Sequence, residues 1–166
     1  MVTWTSVEEE LLSLAGSVPD PELPVLTLED LGVVRGVEVH DPDHVTVRLT
    51  PTYTGCPAIE AMSADIERVL HDHGVAEVSV ETVLSPAWST DDMSAEGRRK
   101  LAEFGIAPPR PHDTASGGPV PLALSVRCPH CGSTETELLS RFSSTACKAL
   151  RRCVACQEPF DHFKEL

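Results

Sequence analysis

Six cysteines carry most of the chemical information in this 166-residue chain. Four of them form two Cys-x-x-Cys pairs, Cys128-Pro129-His130-Cys131 and Cys153-Val154-Ala155-Cys156, with 21 residues between. A β-hairpin of that length brings both pairs round one ion. Four thiolates at a tetrahedral centre, with Zn–S near ~2.3 Å, make a closed structural site. The spacing is close to the zinc-ribbon pattern, whereas two disulfides would need an oxidising compartment. Tetrahedral thiolate sites also accept iron, so the expected ion is Zn, with Fe as the alternative in the same site. With four cysteines available, His130 is not expected to ligate. Cys147, six residues before Cys153, is a fifth thiol: either an inert side chain or an auxiliary thiol for metal exchange.

Cys56 is the one cysteine of the first part of the chain, in Thr50-Pro51-Thr52-Tyr53-Thr54-Gly55-Cys56-Pro57. Proline favours the first helical position, which puts Cys56 at the N-cap of a following helix. There the positive end of the helix dipole favours a thiolate and lowers its pKa below ~8.5. Gly55 permits a tight turn and leaves the sulfur approachable. The alternative is a small buried hydrophobe. A single thiol would need a second chain, a partner or the tail to complete a metal site.

The elements that must position these thiols follow from periodicity. Either Thr5-Ser6-Val7-Glu8 or Ser6-Val7-Glu8-Glu9 reads as a capping box opening a helix with the stripe Val7, Leu11, Leu14 and its exit at Gly16. Pro19-Asp20-Pro21-Glu22-Leu23-Pro24 reads as a rigid extended segment. Val33–Val39 and Val45–Leu49 alternate as half-buried strands joined at His40-Asp41-Pro42-Asp43. A helix from Pro57 to about His71 carries Ile59, Met62, Ile66, Val69 and Leu70 on one face. Val75–Val83 gives a third strand, and Ser94–Phe104 a last helix. The order α-β-β-α-β-α describes a small α+β domain, a sheet with helices on one face. Five prolines and three glycines in residues 105–121 mark a linker. The expected division is 1–107, a linker at 108–121, and a four-cysteine zinc-ribbon-like domain at 122–166 with strands near 138–143, 149–152 and 159–163.

Charge and composition exclude several functions. Residues 120–166 hold six basic and five acidic residues, leaving 7 of the 13 basic and 21 of the 26 acidic ones to residues 1–119. So acidic a domain repels a phosphate backbone, and nucleic acid is not an expected partner. No secretory signal or membrane-spanning run is visible, so the expected location is the cytoplasm. No Glu-x-x-His occurs to build a di-iron site. Neither a dinucleotide-binding Gly-x-Gly-x-x-Gly nor a plant-type ferredoxin cysteine spacing is present. Asp91-Asp92 offers a cation site or, more commonly, a solvated turn. Arg98-Arg99-Lys100 offers a docking face or an ordinary helix surface. Trp88 either flanks the Cys56 pocket or packs in the core.

Asp20-Pro21-Glu22, Asp30-Leu31-Gly32, the segment Thr50–Pro57 and Ser85-Pro86-Ala87-Trp88 stand in an order that resembles the small α+β proteins of cytosolic iron–sulfur assembly, among them SufT-like maturation factors. That likeness covers about residues 18–107. With the tail motifs Cys128-Pro129-His130-Cys131-Gly132-Ser133, Ser144–Leu150, Cys153, Cys156 and Pro159-Phe160-Asp161, the whole chain resembles the PaaD (PaaJ) family, accessory proteins of the bacterial phenylacetyl-CoA epoxidase system.

The resemblance implies a role in aerobic phenylacetate degradation: no catalytic centre of its own, but help in iron–sulfur cluster assembly or maturation of the oxygenase's reductase component. It implies Cys56 as the functional thiol, taking transient iron or a cluster. Asp20 and Glu22 belong to the characteristic motif, and with Thr54 and Trp88 they are the candidate pocket. The implied partners are the oxygenase and reductase subunits and the iron–sulfur assembly machinery; a homodimer is compatible with the sequence. A structural subunit that bridges the oxygenase components without touching iron is the alternative.

Overall fold

The computed structural model describes residues 4–41, 43–111 and 125–165, with the side chains of Trp4 and Thr5 set aside. Most of the expected linker (112–121), the first residues of the expected tail domain and Pro42 lie outside the described residues. The chain divides into two compact units, one running to Gly97 and one from Arg98 to Glu165.

The first unit holds helices α1 (Trp4–Gly16), α2 (Leu28–Leu31) and α3 (Ile59–Asp72) and strands β1 (Val34–Asp41), β2 (His44–Leu49) and β3 (Glu77–Thr82). β1 and β2 pair antiparallel, with Val37 opposite Val47, and β2 and β3 pair parallel, with Val47 opposite Val80. A parallel pair needs a crossover, and α3 supplies it. α1 packs on β1 and α3 on β3, a helical layer over the sheet. The α3 stripe explains the fit: Met62, Ile66 and Leu70 recur at four-residue steps and are buried, as are Val45, Val47 and Leu49 of β2.

Three local features depart from expectation. α1 is already helical at Trp4, ahead of both expected capping boxes. Residues 19–27 are not extended but close on themselves through a Pro19–Thr27 bridge, with the Asp20 amide on the Leu26 carbonyl at 2.9 Å. The helix expected from Pro57 begins at Ile59.

The short α2 was not anticipated. Its capping box joins Thr27 and Asp30, and Gly32 ends it in the left-handed region at φ 69°. A Cβ on Gly32 would stand 2.2 Å from the Asp92 carbonyl oxygen, so this position needs glycine twice over.

The unit boundary falls within α4 (Ala95–Glu103). The second unit carries a four-stranded sheet in the order β4 (Ile106–Ala107), β7 (Pro159–Phe163), β6 (Lys148–Cys153), β5 (Thr136–Ser140). Ile106–Ala107 pairs parallel with Asp161–His162, so these two residues, expected at the end of the first domain, serve the second sheet. Buried Lys148 reaches Asp161 at 3.2 Å, and the Ser143 hydroxyl donates to the same carboxylate. The buried charge is thus paired.

Candidate metal centre and thiol site

In the second unit the two Cys-x-x-Cys segments fold as matching knuckles. In the first, the Gly132 amide donates to the Cys128 carbonyl at 3.0 Å and the Cys128 amide to the Ser133 carbonyl at 2.9 Å. In the second, the Gln157 amide donates to the Cys153 carbonyl and the Cys153 amide to the Glu158 carbonyl, each at 3.0 Å. Each turn requires a left-handed residue just after its second cysteine. Gly132 supplies it at φ 77°, and Gln157 does so at φ 65°.

The knuckles bring the Sγ atoms of Cys128, Cys131, Cys153 and Cys156 within 4.8 Å of one another. Cys128–Cys156 is 3.8 Å and Cys131–Cys153 is 3.5 Å. A tetrahedron with ~2.3 Å metal–sulfur bonds has edges of about 3.8 Å, while a disulfide needs about 2.05 Å. The spacing therefore fits one thiolate-bound ion and excludes cross-linking in this arrangement.

Neutral donors point at the sulfurs: the His130 amide at Cys128 (3.4 Å) and the Cys156 amide at Cys153 (3.5 Å). An N–H aimed at a sulfur favours its thiolate form, the form that a metal ligand takes. His130 contributes its amide, and the four-sulfur group does not include its ring. Cys147 also stands outside the group. It is 4% exposed and its sulfur lies 3.1 Å from the Thr145 hydroxyl, so auxiliary exchange would require the tail to open.

In the first unit, Cys56 follows a turn in which its amide donates to the Tyr53 carbonyl at 3.3 Å. It is 7% exposed, while Thr54, Gly55 and Pro57 around it are exposed. Cys56 is not the N-cap. That position is Ala58, which has no side chain to cap the helix.

The Cys56 pKa is raised, not lowered, chiefly by burial. The Ala58 amide opposes this, Glu22 adds to it by charge, the Tyr53 hydroxyl opposes it, and Asp20 adds to it. The dipole effect anticipated from Pro57 is thus present in the Ala58 N–H, but desolvation and two carboxylates outweigh it.

Asp20 and Glu22 come to Cys56 from the loop closed by Pro19 and Thr27. Asp20 Oδ1 accepts from the Glu22 amide (2.9 Å) and the Leu23 amide (2.6 Å), fixing the turn that presents Glu22. Burial raises the Asp20 pKa, against those two backbone bonds. The site is thus a poorly solvated thiol facing two acids and a phenol. Among the described residues, the grouping tight enough to hold an ion is the tail's, so Cys56, Asp20 and Glu22 form no preassembled metal cage.

The other candidates have structural duties. Trp88 is 6% exposed and donates its indole N–H to the Leu31 carbonyl at 2.7 Å, anchoring the Asp30-Leu31-Gly32 turn. Asp92 closes a capping box with Ser89 and pairs with Arg35 at 3.0 Å, so the Asp91-Asp92 turn is held by protein groups. Sequence reasoning missed Tyr53 as a partner of Cys56. The signal available was its place three residues earlier in a Gly-containing turn.

Residues 113–164 match the family described as PaaD zinc beta ribbon domain, and residues 8–84 match that described as iron-sulfur cluster assembly protein. Over 155 residues the chain is 46% identical to a putative subunit of the 1,2-phenylacetyl-CoA epoxidase of Escherichia coli (strain K12), covering 93% of this chain and 91% of that protein. This chain belongs to the PaaD family. The first unit of this PaaD-family chain has wider relations. The Fe-S protein maturation auxiliary factor of Porphyromonas gingivalis (strain ATCC BAA-308 / W83) is 35% identical over 99 residues, covering 59% of this chain and 93% of that one. The crystal structure of a domain of unknown function DUF59 from Bacillus anthracis is 29% identical with a TM-score of 0.55, covering 58% of this chain and 92% of that one. Among the described residues, no helix is long and apolar enough to cross a membrane.

Proposed function

We propose that this chain is a non-catalytic accessory subunit that assists maturation of the iron–sulfur reductase component of a phenylacetyl-CoA epoxidase. In this reading Cys56 handles iron or a nascent cluster as cargo, and the tail's four cysteines hold a structural Zn. The observation that carries it is the grouping of Cys56 with Glu22, Asp20 and Tyr53 at the start of α3. Burial and the two acids keep the sulfur protonated, which protects an idle thiol from oxidation. An arriving cation offsets the acids' charge and takes the proton's place on sulfur. With no closed cage behind it among the described residues, Cys56 is suited to hand metal on rather than keep it.

The four-thiolate centre leaves an ion no open position for chemistry, which supports a scaffold role for the tail. Exposed Leu138, Leu139 and Phe142 in the second unit support docking of the oxygenase and reductase subunits there. The proposed location is the cytoplasm, where thiols stay reduced.

The test is Cys56→Ser in cells whose only copy carries the change. The reductase isolated from them should have depressed iron and acid-labile sulfide while the variant remains folded. A fully loaded reductase would instead favour a bridging subunit that never touches iron.

A further inference from the structure

We propose that the β5–β6 face of the second unit docks a carboxylate-bearing, otherwise apolar segment of the reductase component, with Arg151 as its anchor. The inference rests on the reading that the reductase docks on this unit, and it adds which residues select the segment and by what chemistry.

Two consecutive arginines of β6 meet opposite neighbours. The register sets Arg152 across from Glu137 and Arg151 across from Leu138. Arg152 Nη2 donates to the Glu137 carboxylate, so that charge is matched within the chain. Successive strand residues point to opposite faces, so Arg151 stands on the other side of the sheet, beside a leucine. Its Nε is closed off from solvent and has no hydrogen-bond partner among the described residues. No described carboxylate pairs with its guanidinium. A cation held partly out of water without a counter-charge is costly, and a carboxylate brought by a partner relieves that cost. The guanidinium fork takes such a carboxylate through two parallel N–H bonds.

Apolar surface adjoins this anchor along β5, the edge strand of its sheet. Leu138 and Leu139 are 48% and 49% exposed, and Phe142 just beyond is 64% exposed. The register slips between Leu138 and Ser140, a bulge that takes Leu139 out of the regular alternation. Lys164 Nζ lies 4.7 Å from the centre of the Phe142 ring and donates to the Arg141 carbonyl at 3.2 Å, so two more cations border the aromatic end. An arginine without a counter-ion beside exposed leucines and a phenylalanine has the composition of an interface anchor.

Charge decides the class of partner. Residues 98–165 hold ten basic and seven acidic residues, whereas residues 1–97 hold three and nineteen. The second unit is therefore the one that an acidic partner approaches favourably. An aromatic ring bordered by cations also suits single-stranded nucleic acid. The acidic excess of residues 1–97 repels a phosphate chain, however, and leucines give bases no stacking platform.

The experiment measures the affinity of the purified reductase component for the immobilised full chain. Arg151→Met keeps the apolar stem and removes the charge, and it should weaken binding about tenfold or more. Leu138→Glu should weaken binding comparably while leaving the arginine in place. Its carboxylate would stand opposite Arg151 as Glu137 stands opposite Arg152, and would occupy the fork. Arg152→Met, on the other face, should leave the affinity nearly unchanged. Raising salt to ~1 M, where the screening length is about 3 Å, should weaken the wild type and narrow its lead over Arg151→Met. A wild-type chain that binds no reductase would remove the docking reading and this proposal with it. Wild-type binding that Arg151→Met and Leu138→Glu both leave intact would overturn the proposal alone. So would an Arg152→Met loss as large as that of Arg151→Met. A single-stranded oligonucleotide that binds the wild type and is lost with Arg151→Met would also overturn it, because the face would then serve nucleic acid.

Discussion

Removing one buried ligand should unfold the second unit and spare the first. Cys153 is fully buried, and three of the six side chains in its cluster, Cys128, Cys153 and Cys156, belong to the four-sulfur group, leaving Ala107, Phe160 and Val126 as the cluster's other members. Cys153→Ser hardly changes volume, so its cost is almost wholly that of the metal. Structural zinc contributes about 10–16 kcal/mol in small metal-dependent folds, against about 5–15 kcal/mol for the entire stability of an ordinary domain. Losing most of the metal's share therefore exceeds what this unit holds in reserve. Amide NMR of the zinc-loaded full chain, wild type against Cys153→Ser, reads the outcome residue by residue. The variant should lose dispersed signals for β5–β7 and keep those of β1–β3. Cys147→Ser, equally buried but outside the sulfur group, should keep its zinc and lose only about 1–3 kcal/mol. A Cys153→Ser tail that stays folded without metal would refute the reasoning.

Three further outcomes follow from the first unit. Glu22→Gln removes a charge that raises the Cys56 pKa, so alkylation of Cys56 near pH 7.5 should be faster than in wild type; an unchanged rate would place Glu22 out of electrostatic reach. Asp20 is an acid whose folded pKa is raised, so its contribution is present below the unfolded value of 3.8 and is lost as pH rises through the folded value. Asp20→Asn keeps the Oδ1 acceptor, so denaturant melts should show a smaller fall in stability over that window. Gly32→Ala combines a left-handed backbone with a 2.2 Å clash against Asp92 and should cost about 2–5 kcal/mol, read from the shift in denaturation midpoint.

The metal centre was legible because Cys-x-x-Cys spacing is a local property and the knuckle geometry follows from it. The α3 stripe was legible for the same reason: Met62, Ile66 and Leu70 fix a face within one helix. What could not be read depends on residues far apart in sequence. The sign of the Cys56 shift reversed chiefly because the fold buries the sulfur, with Glu22 and Asp20 adding to it from a loop more than thirty residues upstream. β4 is two residues long, too short for alternation to register, and only its pairing with β7 defines it. For Trp88 and Asp92 the sequence left two readings open, a site role or a structural one. Their partners lie far away in sequence: the Trp88 indole reaches the Leu31 carbonyl of the Asp30-Leu31-Gly32 turn, and Asp92 pairs with Arg35 of β1.

The central claim is a division of labour: Cys56 takes iron in passing while the tail keeps its zinc. Metal and acid-labile sulfide analysis of anaerobically purified chain, wild type against Cys56→Ser, tests it most directly. The expected result is one zinc per chain in both proteins, and iron below one equivalent in the wild type that disappears in the variant. Iron retained without the Cys56 thiol, or zinc lost with it, would contradict that division.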